Sequence, residues 1–335
     1  MSWETRALTG LDALSVAAFD GAMTQDFSNG AAWMAGKVIP IHEAKIGVTD
    51  WGLTHSDVVY DVVPVREGGF FRLADYLARF ETSLAEAQMN VGMSIDEIAD
   101  ALHQMVAASG LRAAYVALVA ARGTPVIPGS RDPRECANHF YAWYVPYVHV
   151  IKPDMAEMGA DVLLSDEVRR IPEDSVNPRV KNYHWGDFTR GLFEAKEKGF
   201  ETVLLADHAG NATEGPGFNL FALKDDRVVT PERGVLQGIT RQTVMELARE
   251  AGFMVEERAL PVEELLEADE VFLSSSGGGV LPVRRINDRV FSNGGAGPVA
   301  MRLRRRYFEL TLDPAYRTEI AYDESNAGVN PGLRV

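Results

Sequence analysis

Read as a pattern of apolar and polar positions, the chain opens weakly: residues 1–30 are polar and poorly periodic, with Asp26 to Gly30 reading as a turn. Short strand-like pieces follow at Ala32-Trp33-Met34, Val38-Ile39-Pro40 and Lys45-Ile46-Gly47-Val48. From Val58 to Val65 both alternating sets of positions contain apolar residues, the signature of a strand covered on both faces. After a Glu67-Gly68-Gly69 turn, Leu73, Tyr76, Leu77, Phe80 and Leu84 recur at helical spacing and predict a helix over 72–88, with Arg72 and Arg79 on one side of it. A second helix opens with Ser94 and Glu97, a reciprocal capping pair, carries Ile98, Leu102, Met105 and Val106, and stops at Gly110. Strands at 114–121 and 139–150 flank a proline- and glycine-stiffened loop, 122–132. Pro153 ends that apolar stretch and marks a domain boundary near 150, giving units of 1–150 and 151–335. The second half reads as strands at 160–164, 168–171, 202–206, 218–223 and 271–273, with helices at 187–199, after Gly238-Ile239-Thr240, and from Pro261 to Leu265.

Composition narrows the class. The chain has 335 residues, enough for about two domains. Its net charge of -15 argues against a nucleic-acid or anionic-membrane surface. The one basic cluster, Arg302, Arg304, Arg305 and Arg306, falls in a helical pattern and reads as a solvated face. With Cys136 the only cysteine, an intrachain disulfide and a cysteine-rich metal site are excluded, and no metal is expected. The first residues lack a charged-then-apolar signal pattern and no apolar run approaches the roughly 20 residues that span a bilayer. The expectation is a soluble, cytoplasmic, globular protein.

Chemistry concentrates around Asn177-Pro178-Arg179-Val180-Lys181-Asn182-Tyr183-His184-Trp185. A lysine crowded by an amide, a phenol, an imidazole and an indole is partly desolvated, loses its proton readily and can condense with an aldehyde. Gly238-Ile239-Thr240 precedes a helix, so backbone N–H groups and the positive end of the dipole face outward, suited to an anion. Ser275-Ser276-Gly277 adds hydroxyls and backbone donors after a strand, and Arg79 is a planar partner for phosphate oxygens. Glu214, beside Gly215-Pro216-Gly217, could hold a pyridine nitrogen protonated. Each feature alone is also what a surface lysine, a helix cap or a turn carboxylate looks like. Together they match pyridoxal 5′-phosphate, while no strand-borne GxGxxG, GxxxxGK[ST], HExxH or GxSxG is present.

From Ala31 to Phe308 the chain resembles the fold-type IV, branched-chain-aminotransferase-like pyridoxal phosphate enzymes, and within them is most similar to (R)-selective amine transaminases. The motifs are Asp50-Trp51-Gly52 with His55-Ser56-Asp57-Val58, Tyr60-Asp61-Val62, Phe71-Arg72-Leu73-Ala74-Asp75 with Arg79-Phe80, Val180-Lys181-Asn182 with Trp185-Gly186-Asp187, Glu214-Gly215 with Phe218-Asn219, Gly238-Ile239-Thr240-Arg241, and Ser275-Ser276-Gly277-Gly278. The resemblance implies an α/β (α+β) fold: a small N-terminal α/β domain and a larger C-terminal β-barrel-like α/β domain, with the cofactor between them in a homodimer. It implies Lys181 as the Schiff-base lysine and proton carrier, Glu214 on the ring nitrogen, and Arg79, Ile239, Thr240, Ser275 and Ser276 on the phosphate. Relatives often carry threonine where Ser275 and Ser276 stand, and serine keeps the hydroxyl. His55, Tyr60, Val62, Tyr115, Trp185 and Gly277 are implied at the substrate site. Arg131 stands at the place of a mobile arginine that meets a keto-acid carboxylate. Leu53 departs from the aromatic residue of some relatives. The activity implied is ping-pong transfer of an amino group from a primary (R)-amine to pyruvate or another keto acid. A D-amino-acid or branched-chain aminotransferase, a lyase of the same fold and a non-catalytic binding protein are the alternatives.

Overall fold

The computed structural model describes residues 26, 27, 29–146 and 148–322. Expectations for residues before Asp26 lie outside them.

Two sheets carry the architecture. The first is antiparallel and contains β1 (Ala31–Met34), β2 (Lys37–Pro40), β3 (Val58–Arg66), β4 (Gly69–Phe71), β5 (Ala114–Pro125) and β6 (Cys136–Pro146). The second is mixed and contains β7 (Ala160–Arg169), β8 (Thr202–Ala206), β9 (Glu214–Gly215), β10 (Phe218–Lys224), β11 (Arg227–Thr230), β12 (Met254–Glu257), β13 (Glu270–Ser275), β14 (Gly279–Ile286) and β15 (Arg289–Val290). The last strand, β16 (Arg317–Glu319), returns to the first sheet, whose order is β16-β4-β3-β5-β6-β1-β2. The second sheet runs β12-β11-β10-β13-β14-β7-β8, with β15 on β14 and β9 on β10. The helices are α1 (Trp51–Thr54), α2 (Leu73–Glu86), α3 (Ile95–Ala107), α4 (Pro153–Met158), α5 (Gly186–Glu197), α6 (Ile239–Glu250), α7 (Val262–Leu266) and α8 (Pro298–Leu310).

The doubly apolar run at 58–65 is the interior strand β3, and every one of its residues is buried. One face meets α2 and α3 through Val63, Tyr76, Phe80, Ile98 and Leu102. The other face carries Val58, Tyr60 and Val62 with Ala117 and Val119, edged by Tyr115, Tyr141, Trp143 and Tyr183. Ser94 caps α3 as its spacing predicts, accepting from the Glu97 backbone N–H while the Glu97 carboxylate accepts from the Ser94 N–H. In the second sheet, α6 and α8 cover one face and the Leu204, Phe218, Leu273 and Leu281 cluster fills the other.

Several elements differ from the pattern reading. Lys45–Val48 forms no strand and leaves Val48 exposed, because four residues with a central glycine have no neighbour to pair with. The pieces at 160–164 and 168–171 are one strand, β7, broken only by a register shift against β8 between Leu164 and Arg169. Arg72 does not ride on α2: it is the N-cap, in the left-handed region at φ 53°, with its guanidinium paired to Glu246 of α6. The arginine run of α8 is only partly solvated, since Arg304 donates to the carbonyls of Gly278 and Val280 at 2.8 and 2.7 Å.

Candidate active site

Lys181 lies between the two sheets because its segment is stitched to β3. The Tyr60 N–H donates to the Lys181 carbonyl at 3.0 Å, and Val59 and Asn182 form an isolated antiparallel bridge. The turn that follows is held by Asn182, whose amide donates to Val180 O at 2.7 Å and whose oxygen accepts from the His184 N–H at 2.9 Å. The lysine amine then sits 4.6 Å over the Tyr60 ring. Burial, followed by the charge of Arg79, lowers its pKa to about 8, against the opposing pull of Asp61 and Glu214. A substantial fraction of the amine is neutral at pH 8, the form that can attack a carbonyl.

One cavity gathers Lys181, Tyr60, Trp185, Arg79, Glu214, Ile239, Thr240, Ser275 and Ser276. At one end Glu214 starts β9, 5 % exposed. Its Oε1 accepts from Arg170 Nη2 at 3.1 Å, and its Oε2 accepts from Asn219 Nδ2 at 3.1 Å and from the Leu236 N–H at 2.9 Å. Burial raises its pKa, partly offset by Arg170 and the Leu236 N–H. Arg170 in turn donates to Asp187 Oδ2 at 2.7 Å and lies over the Phe188 ring at 4.3 Å. Close packing requires two of the lining glycines: a Cβ on Gly215 would stand 2.2 Å from the Phe218 ring, and one on Gly238 would stand 2.2 Å from Asn219 Oδ1.

At the other end α6 begins at Gly238 with no side chain capping it, so its first N–H groups and dipole face the cavity. The cap is Gly238; Thr240 stands one residue inside the helix, its Oγ1 buried and facing the Tyr76 phenol. Across from it, β13 ends in Ser275, and Ser276 begins the turn into β14. An uncapped helix start and a buried threonine hydroxyl, set beside a serine turn, concentrate donors at this end, which fits a phosphate group. With Lys181 on its wall, the cavity fits a ring carrying a phosphate ester at one end and a basic nitrogen at the other.

Arg79 corrects one expectation. Its guanidinium fork does not face the cavity freely: Nε and Nη2 donate to the fully buried Asp61 at 2.8 and 2.6 Å, and Nη1 donates to Gln237 O at 2.8 Å. An N–H on each terminal nitrogen remains for an anion. Val62 is buried beside Tyr60 on β3, and Tyr115 pairs across from Pro64 at the edge of the same apolar face. Gly277 follows Ser276, and its carbonyl accepts from the Val150 N–H at 3.3 Å. Of the residues expected at the substrate site, Tyr60 and Trp185 line the cavity, whereas His55, Val62, Tyr115, Arg131 and Gly277 do not. His55 is the C-cap of the four-residue α1, exposed, its ring tilted at 32° against Trp51 with centroids 4.6 Å apart and its Nδ1 hydrogen-bonded to Thr54 at 2.8 Å. Arg131 is exposed on the loop between β5 and β6.

Residues not singled out from sequence complete the site: Asp61, Tyr76, Arg170 and Asn219. Asp61 and Asn219 lay within quoted motifs. For Arg170 the one signal was a strand end carrying two arginines in a row.

The sequence profile of the family described as amino-transferase class IV matches residues 58–286. A putative branched-chain-amino-acid aminotransferase of Methanocaldococcus jannaschii is 29 % identical over 281 residues, covering 83 % of this chain and 95 % of that protein. Among solved structures, two branched-chain amino acid aminotransferases from Thermobaculum terrenum superpose closely. The M3 mutant gives a TM-score of 0.79 at 26 % identity, covering 89 % of this chain and 99 % of that one. The PLP-bound holo form gives 0.77 at 26 % identity, covering 88 % and 99 %.

Proposed function

This chain belongs to the amino-transferase class IV family and is a pyridoxal-phosphate-dependent aminotransferase of fold type IV; from that premise we propose that it transfers the amino group of a primary (R)-amine to pyruvate or a similar keto acid, as a homodimer, in the cytoplasm. The observation that carries the amine reading is the state of the arginines lining the cavity. Arg79 is ion-paired to Asp61 and turns its remaining N–H groups to the phosphate end, and Arg170 is ion-paired to Asp187 and Glu214 at the ring-nitrogen end, so both serve the cofactor rather than the carboxylate that every amino-acid donor brings. The wall beside Lys181 carries the aromatic rings of Tyr60, Trp185 and Phe188; outside that lining, the same face of β3 and its neighbours carries Tyr183, 4.5 Å from Tyr60 between ring centroids, and Tyr115 and Trp143, 5.7 Å apart. Such a wall suits an apolar donor, and the motif set of the sequence points the same way.

When bound, the cofactor supplies an aldehyde for the incoming amino group and an electron-withdrawing ring. Lys181, with its amine near neutral charge at pH 8, takes the proton from the amine-bearing carbon of the donor and later delivers one to the acceptor carbon. Glu214 would hold the cofactor's ring nitrogen in its protonated form, accepting from it through Oε1, whose one side-chain partner here is Arg170. The Ile239 and Thr240 N–H groups, the hydroxyls of Thr240, Ser275 and Ser276, and the remaining N–H groups of Arg79 would hold its phosphate. Tyr60 and Trp185 shield the reacting carbon from water.

The test is the visible spectrum of the loaded enzyme during addition of (R)-1-phenylethylamine, its (S) form, D-alanine and L-leucine in separate cuvettes. Bleaching by the (R)-amine supports the reading. The relatives named as branched-chain aminotransferases favour a second reading, which gains if L-leucine alone bleaches the band; bleaching by D-alanine alone turns the assignment to D-amino acids.

A further inference from the structure

Tyr76 is a fully buried residue for which packing supplies no sufficient reason. It sits on α2 one turn before Arg79, is 0 % exposed, and places its phenol oxygen 2.7 Å from Ser276 Oγ, 200 residues away in sequence. Burying a phenol is costly unless the hydroxyl has a partner, and a phenylalanine of nearly the same volume would fill the position without that demand. The Arg79 guanidinium carbon lies 5.5 Å from the Tyr76 ring centroid, so one face of α2 presents a phenol and a guanidinium together toward the serine turn and the start of α6. Burial raises the Tyr76 pKa, so the phenol is neutral and keeps a proton to donate.

We infer that Tyr76 is a positioning residue for phosphate binding: its phenol donates to Ser276 Oγ and thereby directs the Ser276 hydroxyl proton toward the phosphate. A serine hydroxyl has one proton and rotates freely. A donor fixed on its oxygen from the helix side makes the orientation toward an anion the favoured one, and strengthens that hydrogen bond through the chain of two. The inference rests on the placement of the phosphate between the start of α6 and the serine turn.

The experiment uses the full-length, cofactor-free protein and titrates it with pyridoxal 5′-phosphate and, separately, with pyridoxal, which lacks the phosphate. Tyr76→Phe is expected to weaken binding of the phosphate ester about tenfold, the scale of one hydrogen bond to a charged group, and to leave pyridoxal within about twofold. Ser276→Ala, which keeps the phenol, is expected to give a similar loss, and the double variant no more than the larger single loss, because the two hydroxyls act as one unit. If Ser276→Ala lowers the ratio of the two affinities and Tyr76→Phe does not, Tyr76 is a packing residue and the inference is overturned. If neither Ser276→Ala nor Thr240→Ala changes the ratio, the phosphate is not at this end of the cavity, and the placement fails together with the inference. Should Tyr76→Phe not fold, a fluorinated tyrosine at position 76 keeps the ring and makes the phenol a stronger donor. The ratio of the two affinities is then expected to rise, and an unchanged ratio overturns the inference.

Discussion

Lys181→Met tests the electrostatics of the site through stability. The Lys181 pKa falls from 10.5 in an open chain to about 8 in the fold. Each pH unit of that shift corresponds to about 1.4 kcal/mol, so at pH 7 folding works against keeping this amine charged by about 3 kcal/mol. The residue as a whole is only half-buried beside an open cavity, and water there reduces the effect, so about 2 to 3 kcal/mol is expected. The sign follows from proton counts. Between pH 8 and 10.5 the unfolded chain holds this proton and the folded protein has released it, so stability rises with pH across that window, and the penalty is fully present below it. Methionine has similar length and no charge and can lie on the Tyr60 ring. Cofactor-free Lys181→Met should therefore be more stable than the parent by about 2 to 3 kcal/mol at about pH 7 and by under about 1 kcal/mol at about pH 10, while losing transaminase activity altogether. Denaturant unfolding of both proteins at the two pH values measures this, other titrating groups cancelling in the difference. A variant no more stable than its parent at neutral pH, or an advantage that persists undiminished at the alkaline one, would refute the desolvation argument.

Three further outcomes follow from the same contacts. Arg170→Gln leaves Glu214 and Asp187 without their shared cation; melting should drop by several degrees, as for a broken buried pair of about 3 kcal/mol. Its preference for pyridoxal phosphate over the 1-deaza analogue, in which carbon replaces the ring nitrogen, should shrink about tenfold in a binding titration, whereas an equal loss for both would make Arg170 purely structural. Gly238→Ala drives a Cβ to 2.2 Å from Asn219 Oδ1, displacing the amide that holds Glu214, so cofactor affinity measured by fluorescence should fall at least about tenfold with a stability loss of about 1 to 3 kcal/mol. Arg304→Met frees the Gly278 and Val280 carbonyls it now binds, and a loss of about 1 to 3 kcal/mol in chemical denaturation is expected; no loss would show those carbonyls satisfied by water.

The sequence by itself determined what is local. The apolar run of 58–65, the stripe of α2 and the capping pair of α3 depend on periodicity and on neighbours within one turn, so they were legible before any fold was known. The lysine turn, Glu214 before its glycines and the helix start at Gly238 were legible for the same reason, since each is a short segment with its chemistry contained in it. What only the tertiary structure decided were partnerships across long stretches of chain. Arg79 looked like an uncommitted phosphate fork until β3 brought Asp61 against it; Arg72 looked like a helix residue until α6 brought Glu246. Arg170 reaches Glu214 across 44 residues and Tyr76 reaches Ser276 across 200, and no spacing rule encodes either. His55 and Arg131 show the converse, for a matching motif does not fix where a four-residue helix or a loop residue ends up relative to the cavity. Side-chain identity and periodicity are properties of the segment, whereas the state of a charge depends on which other charge the fold buries beside it, and that is settled only when the two sheets and their helices pack.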